Sequence, residues 1–167
     1  MKKSLLVSML LLGTSLFSME HKHHHENHQN HQINSNKNIP QDAKCQVCGM
    51  FVAKYENWIA SIKAENETFY FDGAKDMFKF YFEPEKYSKI ENLKDAKIFV
   101  TEYYTLEQID AKSAFFVLGS NVMGPMGSEL IPFKDEDSAK EFKKEHFGTK
   151  ILKFEEISKK DIPAKHH

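Results

Sequence analysis

At 167 residues and a net charge of -1, the chain has the length of one domain and no electrostatic footprint for a nucleic-acid partner. Hydrophobic residues make up 41% and charged residues 28%, a globular balance, and 14 Phe, 6 Tyr and one Trp can furnish an aromatic core. All 23 basic residues are lysines, so chemistry built on bidentate arginine clamps, nucleotide chemistry included, is disfavoured.

Lys2 and Lys3 precede an apolar run over residues 5–12 that is too short for a bilayer, and small residues follow it. This predicts a secretory signal peptide over residues 1–18. No cysteine follows the run, so the expectation is a periplasmic protein with neither a lipid anchor nor a stable membrane span. A disordered His-rich segment is then predicted over residues 19–43. His21, His23, His24, His25, His28 and His31 crowd a stretch rich in Asn and Gln that has no hydrophobic period. Imidazoles can collect zinc, copper or nickel; the same run also reads as a polar linker. Cleavage after Ser18 would begin the chain at Met19-Glu20-His21. That terminus offers an amine, two amides and an imidazole in a plane suited to Cu(II) or Ni(II); cleavage after Ser15 would remove it.

Pro40 marks the entry to the folded region. Beyond the only two cysteines, Cys45 and Cys48, residues 58–63 read as a strand, Asn66 as a turn and residues 68–71 as the partner strand. Residues 74–82 carry helical spacing, with Met77, Phe78, Tyr81 and Phe82 on one side and Pro84 as the stop. Strands follow over 98–101 and 114–118, the second central because it is continuously apolar. A loop over 119–127 holds Met123-Gly124-Pro125-Met126-Gly127. Residues 130–133 read as an edge strand because of Pro132. Asp135 can cap a helix running to about His146, with Ala139 and Phe142 inward and Gly148 ending it. A last strand covers 151–154, and 158–167 is expected to be a flexible tail. The pattern predicts an α+β fold of two related strand–helix units, a ββα-type pseudo-repeat in a single small domain, with the two sulfur-bearing loops at corresponding places.

The chemistry-bearing stretch is Cys45-Gln46-Val47-Cys48-Gly49-Met50. Thiolate and thioether donors together favour Cu(I), which is content with two or three soft ligands. Met50 can join Cys48 because Gly49 relaxes the backbone between them, and Met123 or Met126 can add a further donor. Met77, among aromatics at helical spacing, reads as core. Asp72 and Glu129 read as caps or supporting groups. Two other classes compete. A structural zinc module needs two more ligands than the cysteines, and only His146 offers one within the folded region. A thiol-redox or lyase-type enzyme would use Cys45 and Cys48, but the pair follows a tail rather than a strand.

Cys48-Gly49-Met50, Asp72-Gly73 ahead of a helix, and Gly124-Pro125-Met126-Gly127 with Pro132-Phe133 together resemble the NosL family over residues 44–157. The resemblance implies a pair of related strand–helix units and a copper-binding accessory protein rather than an enzyme. It implies Cu(I) donors drawn from a cysteine and methionines, which carry over onto Cys48, Met126 and Met50. The implied partner is an exported copper-accepting enzyme, nitrous oxide reductase. The chain departs from the family pattern in lacking a lipoprotein cysteine and in carrying the histidine segment, which leaves another exported cuproprotein open as the client.

Overall fold

The computed structural model describes residues 39–90 and 92–164. The expected signal peptide over 1–18, the histidines at 21, 23, 24, 25, 28 and 31, and residues 165–167 lie outside the described residues. In chain order the elements are β1 (Ala60–Ala64), β2 (Glu67–Phe71), α1 (Ala74–Phe82), β3 (Lys97–Thr101), β4 (Gln108–Asp110), β5 (Phe115–Leu118), β6 (Met123–Gly124), β7 (Gly127–Ser128), β8 (Ile131–Phe133), α2 (Glu136–Glu145) and β9 (Lys150–Lys153). No helix among the described residues is long and apolar enough to cross a membrane.

Two antiparallel sheets result, in the orders β2-β1-β3-β4 and β8-β5-β9, with β6 and β7 as a separate small hairpin. The expected pseudo-repeat is present as β1-β2-α1-β3 and β5-β8-α2-β9. In each unit the first strand is central, the second flanks it, and the strand after the helix flanks the other side. One part of the expectation is corrected. The cysteine stretch precedes β1, whereas the methionine hairpin lies between β5 and β8, where the first unit has only its tight β1–β2 turn. The sulfur-bearing loops therefore do not occupy corresponding places.

Side-chain alternation explains the layering. In β1, Ala60, Ile62 and Ala64 point to the core while Lys63 is exposed. β5 is buried on both faces. Its Phe116 and Leu118 join the core built around α1, and Val117 joins a second core with Phe133, Ala139 and Phe142. That double burial is why β5 reads as an unbroken apolar run. Helix α1 bridges the two units: Phe80 lies 5.3 Å from Phe71 of the first, and Phe78 lies 5.2 Å from Phe116 of the second, between ring centres. Helix α2 packs on β5, β8 and β9.

Local signals mostly act as expected. The Asp135 side chain accepts the Ser138 amide at 2.8 Å and starts α2. Pro132 sits in edge strand β8. Gly148 is not the left-handed residue after α2; Phe147 is, at φ 56°. A β-carbon on Gly148 would instead run into Val117. Asn66 lies in the β1–β2 turn as expected, with Glu65 beside it in the left-handed region (φ 52°). Beyond β9 the chain stays against the body: Lys150 pairs with Asp161 at 2.9 Å and Ile162 packs on the main core.

Candidate metal centre

The cysteine stretch is a tight loop attached to the edge of the first sheet. Lys44 and Phe51 bridge across it, and the Cys45 amide donates to the Met50 carbonyl at 2.7 Å. The Gly49 amide closes back on the Cys45 carbonyl at 2.8 Å, and the Gln46 amide donates to Tyr70 of β2 at 3.1 Å. Gly49 adopts φ 79°, and no atom crowds the place a β-carbon would take, so glycine is required there for conformation, not space.

This loop brings the Cys45 and Cys48 thiols together with the carboxylates of Asp72 and Asp76. One ligand atom from each of the four lies within 4.8 Å of all the others. Asp72 leaves the end of β2 and Asp76 lies in the first turn of α1, and the chain entering the helix through Gly73 brings both carboxylates to the cysteine loop. The Cys45 thiol donates to Asp76 Oδ2 at 3.6 Å, and Lys79 holds Asp76 Oδ1 at 2.7 Å. Asp72 is 2% exposed, and its Oδ2 has no hydrogen-bond partner. A buried carboxylate oxygen left unmatched is costly, and a cation would satisfy it.

Burial pushes the Cys45 thiol well above its ordinary value, opposed by the amides of Cys48, Asp72 and Val47 that face its sulfur; the Asp72 charge adds to the rise. Burial likewise pushes Cys48 up to about 11, opposed by the Met50 amide and the Cys45 thiol. Amides aimed at sulfur favour the thiolate, the form in which cysteine ligates metal. The loop is thus shaped for thiolates that form when a cation arrives to offset their desolvation.

The methionines are placed as follows. Met50 is half-buried at the end of the loop. Met126 is half-buried at the turn of the β6–β7 hairpin, and its carbonyl accepts the Lys75 ammonium at 2.6 Å. Met123 is 55% exposed, with Ser128 Oγ 3.9 Å from its sulfur. Met77 is fully buried core, as expected. His146 lies elsewhere, bonded to Asn121 at 3.2 Å and packed tilted against Phe142. The extra ligands a zinc site would need therefore come from Asp72 and Asp76. Asp76 was missed in the sequence because an acid in the first turn of a helix reads as a complement to the helix dipole. Its one signal was the spacing Asp72-x-x-x-Asp76.

Comparison with known proteins gives this geometry a family. The NosL family model matches residues 36–162. The copper-binding lipoprotein NosL of Stutzerimonas stutzeri is 30% identical over 122 residues, which span 68% of this chain and 61% of that protein. The crystal structure of the copper chaperone NosL from Shewanella denitrificans superposes with a TM-score of 0.63 at 23% identity, covering 74% of this chain and 96% of that one. At that identity the likeness is one of fold. With its family model matched over most of its length and the paired strand–helix units in place, the chain belongs to the NosL family.

Proposed function

We propose that the chain is an exported Cu(I)-binding metallochaperone that delivers copper to a periplasmic cuproprotein, with nitrous oxide reductase as the client. The observation that carries this reading is the cysteine loop, whose amides face one buried and one half-buried thiol, anchored beside the same helix turn that holds the methionine hairpin. Cys48 is the half-buried thiol and so the one reachable by an incoming ion. It would hold Cu(I), with Met126 and Met50 as thioether donors and Cys45 and Met123 as further sulfur within the two loops. The names of the two NosL relatives, a copper-binding lipoprotein and a copper chaperone, support copper as the cargo. Lys2, Lys3 and the apolar run after them support export.

Binding is favoured over thiol catalysis because a reactive cysteine needs a lowered pKa, and burial raises Cys48 instead. The orphaned oxygen of Asp72 favours a second role for the same cluster. Two thiolates and two carboxylates form a four-donor set of the kind that holds Zn(II).

The test is transfer. Cu(I)-loaded chain is mixed with metal-free nitrous oxide reductase, the two are separated, and copper is measured in each. Copper moving to the enzyme supports the client; copper staying on the chain contradicts it.

A further inference from the structure

Lys75 is 1% exposed, an unusual place for a lysine unless its charge is used. Its side chain and its backbone act on different partners. The ammonium donates to the Met126 carbonyl, 51 positions away, at 2.6 Å. The amide donates to Glu129 Oε1, 54 positions away. Glu129 is itself buried, and the same Oε1 also accepts the Leu130 amide at 3.0 Å.

Glycines on both sides make room for Glu129. A β-carbon on Gly73 would collide with its carboxylate, and one on Gly124 would press on its side chain. Gly73 stands at the N-cap of α1 and supplies no capping side chain, so Glu129 reaches in from the methionine segment and takes that role. The hairpin just before it has strands of only two residues, too short to hold a shape alone. Lys75 and Glu129 bolt that hairpin to the first turn of α1. The same turn carries Asp76, and the residue before Gly73 is Asp72, both within the cysteine cluster.

We infer that Lys75 and Glu129 are positioning residues for Cu(I) capture, holding the Met126 hairpin in place so that its thioether is presented to an ion on Cys48. The inference rests on the Cu(I) reading above. Its physical content is preorganisation. With the hairpin already fixed, binding does not have to order a loop, and affinity that would go into ordering is retained.

The experiment is a double-mutant cycle on the reduced full chain, with Cu(I) affinity read by competition against a chromophoric Cu(I) chelator. Lys75→Leu keeps much of the buried apolar volume and removes the donor without adding a thioether. Gly124→Ala is a second variant that presses on Glu129 from the hairpin side and leaves Lys75 intact. Each is expected to weaken Cu(I) binding by about 10–100-fold, the range for groups that orient a ligand. With Met126→Ala already present, neither is expected to weaken it further, because the residue they position is gone. Wild-type affinity in both variants, an equal loss in the Met126→Ala background, or no effect of Met126→Ala itself would each overturn the inference while Cys48-dependent binding stands. Cu(I) affinity unchanged by Cys48→Ala would instead overturn the reading beneath it.

Discussion

The Cys45 thiol donates to Asp76 Oδ2 across 3.6 Å, joining two residues that are 31 positions apart. The contact makes the cysteine cluster mixed in character, with sulfur and oxygen donors side by side. Hard and soft cations will weigh those donors differently.

Removing a carboxylate should therefore separate two metals. Asp72→Asn and Asp76→Asn are each expected to lower Zn(II) affinity by about tenfold or more, while Cu(I) affinity, resting on sulfur, moves much less. Parallel titrations of the reduced protein check this. Equal losses for both ions would mean that copper also uses the carboxylates.

Metal uptake should release protons. Burial holds Cys48 up to about 11 and Cys45 higher still, so both are thiols at neutral pH. Each cysteine that ligates must shed its proton. Loading in weak buffer with a pH indicator is expected to release roughly two protons per Zn(II) held by both thiolates. Cys48→Ala should lower the count by one. Uptake without proton release would show that the thiols are not ligands.

Gly73→Ala should destabilise the fold by about 1–3 kcal/mol, the usual range for forcing extra volume into a packed site. Its β-carbon would meet the Glu129 carboxylate, which is buried and tied to the amides of Lys75 and Leu130. Urea unfolding measures the loss. A variant as stable as the wild type would mean that Glu129 can move aside freely.

Glu129 should also leave a mark on stability against pH. Burial raises its carboxyl from 4.5 to about 8, against the pull of the Leu130 and Lys75 amides and the Lys75 charge. The folded state then binds this proton more tightly than the unfolded state. Its contribution is fully present below about 4.5 and is lost as pH rises through about 8. Thermal unfolding across that window is expected to show a falling midpoint, and Glu129→Gln should flatten it. An unchanged slope in the variant would assign the pH dependence to other groups.

Much of this framework was legible in the residues because the signals were local. Helix α1 covers residues 74–82 as its apolar spacing required, β5 is central as its unbroken apolar run implied, and Asp135 caps α2. What could not be read depends on tertiary pairing. Strand β4 is only three residues, Gln108–Asp110, and shows itself through its pairing with β3. Phe147, not Gly148, turns left-handed after α2, while Gly148 is needed for its close fit against Val117, a contact no sequence window contains. The site divides in the same way. Cys45 and Cys48 announce themselves by spacing, whereas Asp76 and Lys75 lie in a helix start where charge is ordinary. Glu129, read as a cap or supporting group, does cap a helix, but one 54 positions away that no sequence window contains.

Cu(I) capture is tested most directly by titrating the reduced wild-type chain and its Cys48→Ala variant with Cu(I) against a competing chelator. The wild type is expected to hold a single Cu(I) tightly. The variant is expected to lose affinity by on the order of a hundredfold or more, since losing a ligand exceeds the cost of losing a group that merely orients one. Equal affinity in the two proteins would contradict a copper site built on Cys48.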